Sequence, residues 1–418
     1  MPSMNPSDPR RQLLLELFQS GLLRVAGRPC VAGALRTDAA PGAGASPPRP
    51  VWVAAIGKAA AAMALGAHDV LGSSIERVLL ITKHGHVEPQ ALRLPRVEIY
   101  ESAHPVPDQR SLDAGAGLLR WMRELPAAAQ PLFLISGGAS SLVEVLEEGV
   151  CLAELARLNA AGLAAGIAIA EMNARRGRLS RIKGGRLTAM LGGRAARALF
   201  ISDVPGDDPA VIGSGLLGPA SGAPDRIQRT IIGSLDHAMD AACAAARNLH
   251  LHVQRAATRF DDDAMRLSVR FTHELHLNAA QVCVWGGEST VQLPEHPGRG
   301  GRNQHLALGA ARSITGQPHM MLLAAGTDGT DGPTEDAGAL VDGESCARIA
   351  VAGLDIDDCI RRADAGTALA ASGDLIHTGP TGTNVGDLVI GLKLPAETAA
   401  ALYAAPRSDR DDAGVRQP

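Results

Sequence analysis

The sequence predicts an α/β fold made of two α/β domains, the N-terminal one a doubly wound, mainly parallel sheet. Three observations carry this. Through the first half, short apolar runs without polar alternation are separated by helix-like stretches; such strands are buried on both faces, as in a parallel sheet covered by helices. The chain has 418 residues, long for one hydrophobic core. Aromatic residues make up only 2% of it. The alanine and glycine in their place suit helices packed closely on sheets better than a β-sandwich.

The elements follow in order. The Leu/Phe pattern of "RRQLLLELFQSGLL" fits an amphipathic helix. "DAAPGAGASPPRP", Asp38 to Pro50, reads as a low-complexity loop. Strands are expected within Val51 to Gly57, Arg77 to Thr82, Arg96 to Ser102, Pro131 to Gly138 and Ala198 to Pro209. Between them lie helical stretches after Lys58, around Ser111 to Glu124, and from Cys151 to Arg175. The second half repeats the style, with a helix over Ser234 to Asn248 and strands in "LHLHVQ", "QVCVWGGEST", "MLLAAG" and "NVGDLVIGL". A glycine-led helix is expected in "GRNQHLALGAARSI". The division expected is 1–228 for the first domain, 229–400 for the second, and a polar tail over 401–418.

Composition excludes several classes. Forty Lys and Arg against 44 Asp and Glu give a net charge of −4. No basic stripe interleaved with aromatics is present, so nucleic acid is not an expected partner. The six cysteines are scattered without a CxxC pair, which fits neither a zinc site nor a disulfide framework and suits reduced thiols. The N-terminus lacks the order of a signal peptide, and no apolar stretch is long enough to span a bilayer. A soluble, cytoplasmic protein with no membrane partner is expected. Homo-oligomerisation is left open.

The unusual residues gather where strands end, which is where ligands sit in open α/β sheets. In "LFLISGGASSL", Ser136, Gly137, Gly138, Ser140 and Ser141 form a strand–helix turn that could cradle an anion or merely cap a helix. Lys58 opens a helix, where its charge opposes the helix dipole unless an anion meets it. "LSRIKGGRL" sets Lys183 and Arg186 beside two glycines, and "GRGGRNQHL" sets Arg302 and Asn303 after another glycine cluster. Guanidinium and backbone donors meet phosphate or carboxylate in such places, although a basic turn is also ordinary surface. Asp203 and Asp207 follow one strand, and Asp328 and Asp331 another. Magnesium is commonly held by one or two carboxylates with substrate phosphates, and the same residues also favour turns. Glu335 and Asp336, beyond Pro333, read as acids at a helix N-terminus. Thr381, Gly382, Thr383 and Asn384 form a donor-rich loop. The turn holding Lys58 has one glycine where a dinucleotide-binding G-x-G-x-x-G needs three, and no Walker A loop is present. Anion donors, basic residues and carboxylates at strand ends together suit phosphoryl transfer.

With "IGKAAAAMA", "ESAHPVPD", "LISGGASSL", "LSRIKGGRL", "ISDVPGDDPAVIGSG", "GGRNQHLAL", "GTDGTDGPTEDAG" and "GDLIHTGPTGTNVGDL" in this order, the chain resembles the glycerate 2-kinase family. That group has a Rossmann-like N-terminal domain and a C-terminal MOFRL domain. The resemblance implies phosphorylation of D-glycerate to 2-phosphoglycerate with ATP and Mg²⁺, in a cleft between the domains. It implies that Lys58 and Arg302 are active-site residues. Asp203 or Asp207 is then a candidate base or metal ligand, and Asp328 and Asp331 are candidates for holding Mg²⁺ or shaping their loop. The remaining strand-end residues are candidates for holding substrate and phosphate. Three stretches depart from the family pattern: "GSGLLGPAS" (Gly213 to Ser221), "IGSLD" (Ile232 to Asp236) and "NVGD" (Asn384 to Asp387). They bear on substrate preference and rate more than on fold. The alternatives are an NAD(P)H-dependent hydroxypyruvate reductase, a kinase of a related small hydroxy acid, and a non-catalytic binding protein.

Overall fold

The computed structural model describes residues 8–38, 49–164, 169–222 and 224–404. The expected low-complexity loop and polar tail lie largely outside the described residues. The first sheet has six strands: β1 Val51–Ile56, β2 Ile75–Lys83, β3 Glu98–Ser102, β4 Gln130–Ile135, β5 Ala196–Ile201 and β6 Ile227–Gly233. Their order is β3-β2-β1-β4-β5-β6, and every pairing is parallel. All six residues of β1 are buried, which is why its sequence shows no alternation. The chain winds outward from β1 to β3, then restarts at β4 on the other side. The point of reversal therefore lies between β1 and β4, where a crevice opens beyond the carboxyl ends.

The second sheet comprises β7 Val253–Arg255, β8 Val282–Gly287, β9 Met320–Gly326, β10 Gly338–Asp342, β11 Leu375–Ile376 and β12 Asp387–Lys393. Its order is β11-β10-β9-β12-β8-β7. Only β7 and β8 pair in parallel; the other pairings are antiparallel. It is thus a mixed sheet, with β12 inserted against β8 and β9. Asp387, the first residue of β12, pairs with Gly287 and with Gly326, the last residues of β8 and β9. Two strand ends and one strand start meet at the same edge.

Two differences from the sequence expectation are structural findings. The 1–228 division falls inside β6, and the first sheet continues to Gly233. Glu335 and Asp336 precede a strand, β10, rather than a helix. Asp336 is buried there and paired with Arg299 at 2.8 Å and His377 at 2.7 Å. The helix expected from Cys151 to Arg175 is seen over Leu152–Ala164 and Ile169–Leu179, and residues 165–168 lie outside the described residues.

The N-terminal helices tie the two sheets together. α1, Pro9–Val25, is capped by the Asp8 carboxylate, which accepts from the Arg10 amide. It buries Leu13, Leu14, Leu17 and Phe18, chiefly against the Leu235–Asn248 helix, the Ala396–Ala404 helix and β12, and touches β6 of the first sheet less. α2, Gly27–Asp38, packs on β6 and on α3, Ala60–Leu71. One core cluster consequently runs from Val53 in the first sheet through Leu14 to Val284 and Leu323 in the second.

Candidate active site

Lys58 is placed by the turn after β1. Gly57 has φ +131, and a Cβ there would lie 2.2 Å from the Ser136 hydroxyl; only glycine allows β1 and β4 to end so close together. Ser136 Oγ accepts from the Ala59 amide at 3.1 Å, and the Lys58 amide donates to the Gly137 carbonyl at 2.9 Å. The Ser136–Gly137 turn thus fixes Lys58 and is not itself open to a ligand. Lys58 Nζ crosses to the second domain and donates to Asp328 Oδ2 at 2.7 Å. Burial alone would raise the Asp328 carboxyl. Lys58 and the Thr330 N–H outweigh it and hold the pKa below the usual carboxylate range.

Asp203 follows β5 and receives the Asn384 amide, Nδ2 to Oδ2, at 3.2 Å. Loss of solvent around it, with the nearby Glu288 charge, pushes its pKa up to about 6, against the pull of Lys58. Gly137 keeps this pair together. A Cβ there would lie 2.3 Å from both the Asn384 amide and the Asp203 carboxylate.

The opposite wall is built at the meeting of β8, β9 and β12. Arg302 begins the Arg302–Ser313 helix and donates Nε to Asp387 at 2.6 Å and Nη2 to Glu288 at 2.8 Å. Burial opposes its charge, but Asp387 and Glu288 hold its pKa above the ordinary value. Asp331 caps the same helix: Oδ1 accepts the Asn303 amide at 3.1 Å and Oδ2 the Gln304 amide at 2.8 Å. Burial pushes its pKa up to about 7, against those N–H groups.

These residues line one cavity of about 620 Å³ between the domains, which includes Lys58, Lys83, Asp203, Arg302, Asp328 and Asn384. A second lobe of about 430 Å³, with Gly138, Ser140, Ser141, Arg176 and Lys183, shares His104, Pro105, Asp203 and Glu288 with it. Asp203 stands at the junction.

Other expected site residues are committed within the protein. Lys183 is almost wholly buried, ion-paired with Glu144 and donating to the Ser140 carbonyl at 2.6 Å. Arg186 pairs with Glu147 at 2.5 Å, and Asp207 with Arg259 at 3.2 Å; neither lines the two lobes. Thr381 and Thr383 donate to the carbonyls of Thr327 (2.5 Å) and Val25 (2.6 Å), and the Gly382 carbonyl accepts from Gly27. Gly382 and Thr383 thus clamp the α1–α2 junction and Thr381 the loop after β9, and both hydroxyls are committed within the protein. Sequence reasoning overlooked Lys83, His104, Glu288 and Asp387 as site residues. Lys83 and His104 each stand at or just beyond a strand's carboxyl end, the signal that singled out Lys58. The mixed sheet that brings in Asp387 left no such mark.

A cation is not precluded by the donor chemistry: Asp203, Glu288, Asp328, Asp331 and Asp387 all line the larger lobe. No group of three such ligands gathers at metal distances among the described residues, and a magnesium site needs only one or two carboxylates when phosphate oxygens complete it. Asp328 suits this better than Asp331: its Oδ2 is held only by the Lys58 ammonium, with Thr330 on Oδ1, whereas both oxygens of Asp331 are taken by helix amides.

Comparison with known proteins agrees with this architecture. Residues 13–246 match a domain model described as a domain of unknown function, DUF4147, and residues 281–387 match the MOFRL family. The D-glycerate 2-kinase of Thermotoga maritima is 36% identical over 381 residues, covering 82% of this chain and 90% of its own. An Agrobacterium vitis protein provisionally named hydroxypyruvate reductase is also 36% identical, over 79% of this chain and 96% of its own. The crystal structure of a glycerate kinase from Thermotoga maritima superposes with a TM-score of 0.81 at 33% identity, covering 92% of this chain and 99% of that one. The fold is that of a two-domain glycerate kinase. The chain belongs to the glycerate 2-kinase family. No helix among the described residues is long and apolar enough to cross a membrane.

Proposed function

We propose that this protein transfers the γ-phosphoryl group of ATP to the 2-hydroxyl of D-glycerate, forming 2-phosphoglycerate. The observation that carries the reading is Asp203. A carboxylate with a pKa near 6 stands at the junction of two lobes, near Lys58, with Arg302 on the opposite wall of the cavity. Such a group is a usable proton acceptor near neutrality. Asp203 accepts the hydroxyl proton as the oxygen attacks phosphorus, and Asn384 keeps the carboxylate oriented. Lys58 and Arg302 offset the charge on the transferring group, the dominant protein contribution in phosphoryl transfer. Mg²⁺, held through Asp328, would neutralise phosphate charge when bound. Asp328 would then release Lys58 toward the phosphoryl group.

The test is ADP release by the purified protein on adding D-glycerate and ATP, with the product passed to enolase. Signal without phosphoglycerate mutase identifies the 2-phosphate; signal only with mutase identifies the 3-phosphate and sinks the regiochemistry. The turn after β1 has Gly57-Lys58 where a dinucleotide fold has its glycine fingerprint. Hydroxypyruvate-dependent NADH oxidation is therefore expected to be absent.

A further inference from the structure

This inference rests on the phosphotransfer reading and names how the acceptor is held. The cations of the cleft are mostly committed. Lys58 pairs with Asp328, Arg302 with Asp387 and Glu288, and Lys183 with Glu144. Arg176 likewise interacts within the protein. Lys83 differs. It lines the larger lobe, yet among the described residues its ammonium has no hydrogen-bond or ion-pair partner. The charged and titratable groups around it are Lys58, Asp328, His86 and His104.

Its position follows from the sheet. β1, β2 and β3 are adjacent and parallel, with Ile56 opposite Ile81 and Lys83 opposite Ser102. Their carboxyl ends therefore deliver Lys58, Lys83 and His104 to one rim. Burial, with Lys58 and Lys83 nearby, pushes His104 down to about 3, so it stands neutral beside two ammonium groups. A half-buried cation without a counter-ion, next to a second cation, is a place where an anion relieves both desolvation and repulsion.

We propose that Lys83 holds the carboxylate of a 2-hydroxy acid and thereby presents its 2-hydroxyl, rather than its 3-hydroxyl, to Asp203. In a 2-hydroxy acid the carboxylate and the reacting oxygen sit on adjacent carbons, so one lobe must hold both the cation and the base. Lys83 and Asp203 line the same lobe, and both are coupled electrostatically to Lys58. Lys58 and Arg302 remain for the phosphoryl group. The substrate class is a small acid with its hydroxyl next to the carboxylate, and glycerol is excluded.

The experiment compares the wild type with Lys83→Met and Lys83→Arg. Calorimetric titration with D-glycerate and with glycerol, in the absence of nucleotide, reads the carboxylate contact without turnover. Steady-state KM values for D-glycerate and ATP read it with turnover. Lys83→Met is expected to weaken D-glycerate binding and raise its KM by about tenfold or more, the size of a lost charged hydrogen bond. The KM for ATP stays within about twofold. Lys83→Arg recovers most of the loss. If Lys83→Met does not fold, Lys83→Gln, which keeps length and polarity, gives the same readout. Unchanged D-glycerate affinity, or a loss confined to ATP, overturns the proposal. A wild type that binds D-glycerate in a Lys83-dependent way but does not phosphorylate it sinks the phosphotransfer reading and leaves this inference standing. A wild type that binds neither ligand overturns the inference too.

Discussion

At the residue scale, Asp203 combines a chemical advantage with a cost to folding. Its folded pKa of about 6 lies above the ordinary 3.8, so the folded protein binds the proton more tightly than the unfolded chain. The sign follows: this group's stabilising contribution is full below about pH 4 and is lost as pH rises through 6. For catalysis the direction is opposite, because only the deprotonated form accepts a proton. We expect kcat/KM to rise with pH through an apparent pKa near 6 and to level off above it. Asp203→Asn should lower kcat by about 10²–10⁴-fold, the usual worth of a positioned acid or base. It should also raise stability at pH 8 by about 1–2 kcal/mol, a figure reduced from the full shift because the carboxyl is open to the cavity. Rate profiles from pH 5 to 9 and urea unfolding at pH 8 check both. A variant that keeps most of its turnover would remove Asp203 from the chemistry.

At the scale of elements, five of the first sheet's six strands were legible, β6 being missed at the expected domain boundary, and the second sheet was legible only in part. Val51, Val53 and Ile56 belong to a central strand buried on both faces, and such strands appear in the sequence as unbroken apolar runs. β10, Gly338–Asp342, is five residues long and follows a turn-rich stretch, so no periodicity marks it. Local sequence also does not reveal that β12 runs antiparallel between β8 and β9, the arrangement that brings Asp387 to Arg302. Candidate residues divided for a similar reason. Lys58, Asp203, Arg302, Asp328 and Asn384 meet in the cavity because strand ends place them there. Thr381, Thr383 and Lys183 carry the same polar chemistry but turn it inward. The Lys183–Glu144 pair, both almost wholly inaccessible, joins the loop after the Ile169–Leu179 helix to the segment following β4. Lys183→Met should therefore cost about 3–5 kcal/mol, because it strands a buried carboxylate. Lys183→Met/Glu144→Leu should recover much of that loss. Denaturant titration of the single and double variants is the measurement; a single variant as stable as wild type would show that Lys183 is not a structural partner.

At the scale of the whole molecule, α1 couples the two sheets. It comes first in the chain, yet its apolar face packs on the Leu235–Asn248 helix and β12 of the second domain. Its C-terminal residue Val25 accepts from Thr383 in the loop leading to Asn384, and α2 carries the chain back to β6 and α3 of the first domain. Lys58 and Asp328 add an ion pair across the cleft. A domain pair joined only by a polar interface is free to unfold in separate steps. Here a shared apolar cluster links the sheets, so one cooperative transition is expected. The tryptophans report the two sides separately: Trp52 and Trp121 lie in the first-sheet core and Trp285 in the second. Leu14 is fully buried within the shared cluster. Leu14→Ala should cost about 2–5 kcal/mol, and it should shift the transitions seen by Trp285 and by Trp52 with Trp121 together. The check is denaturant unfolding of Leu14→Ala in a Trp285→Phe background and in a Trp52→Phe/Trp121→Phe background, each against its own Leu14 parent. Equal shifts on both reporters mean that α1 stabilises a single folding unit. A shift confined to Trp285 would mean that α1 serves the second domain alone, and the domains would then be expected to move independently around the cleft.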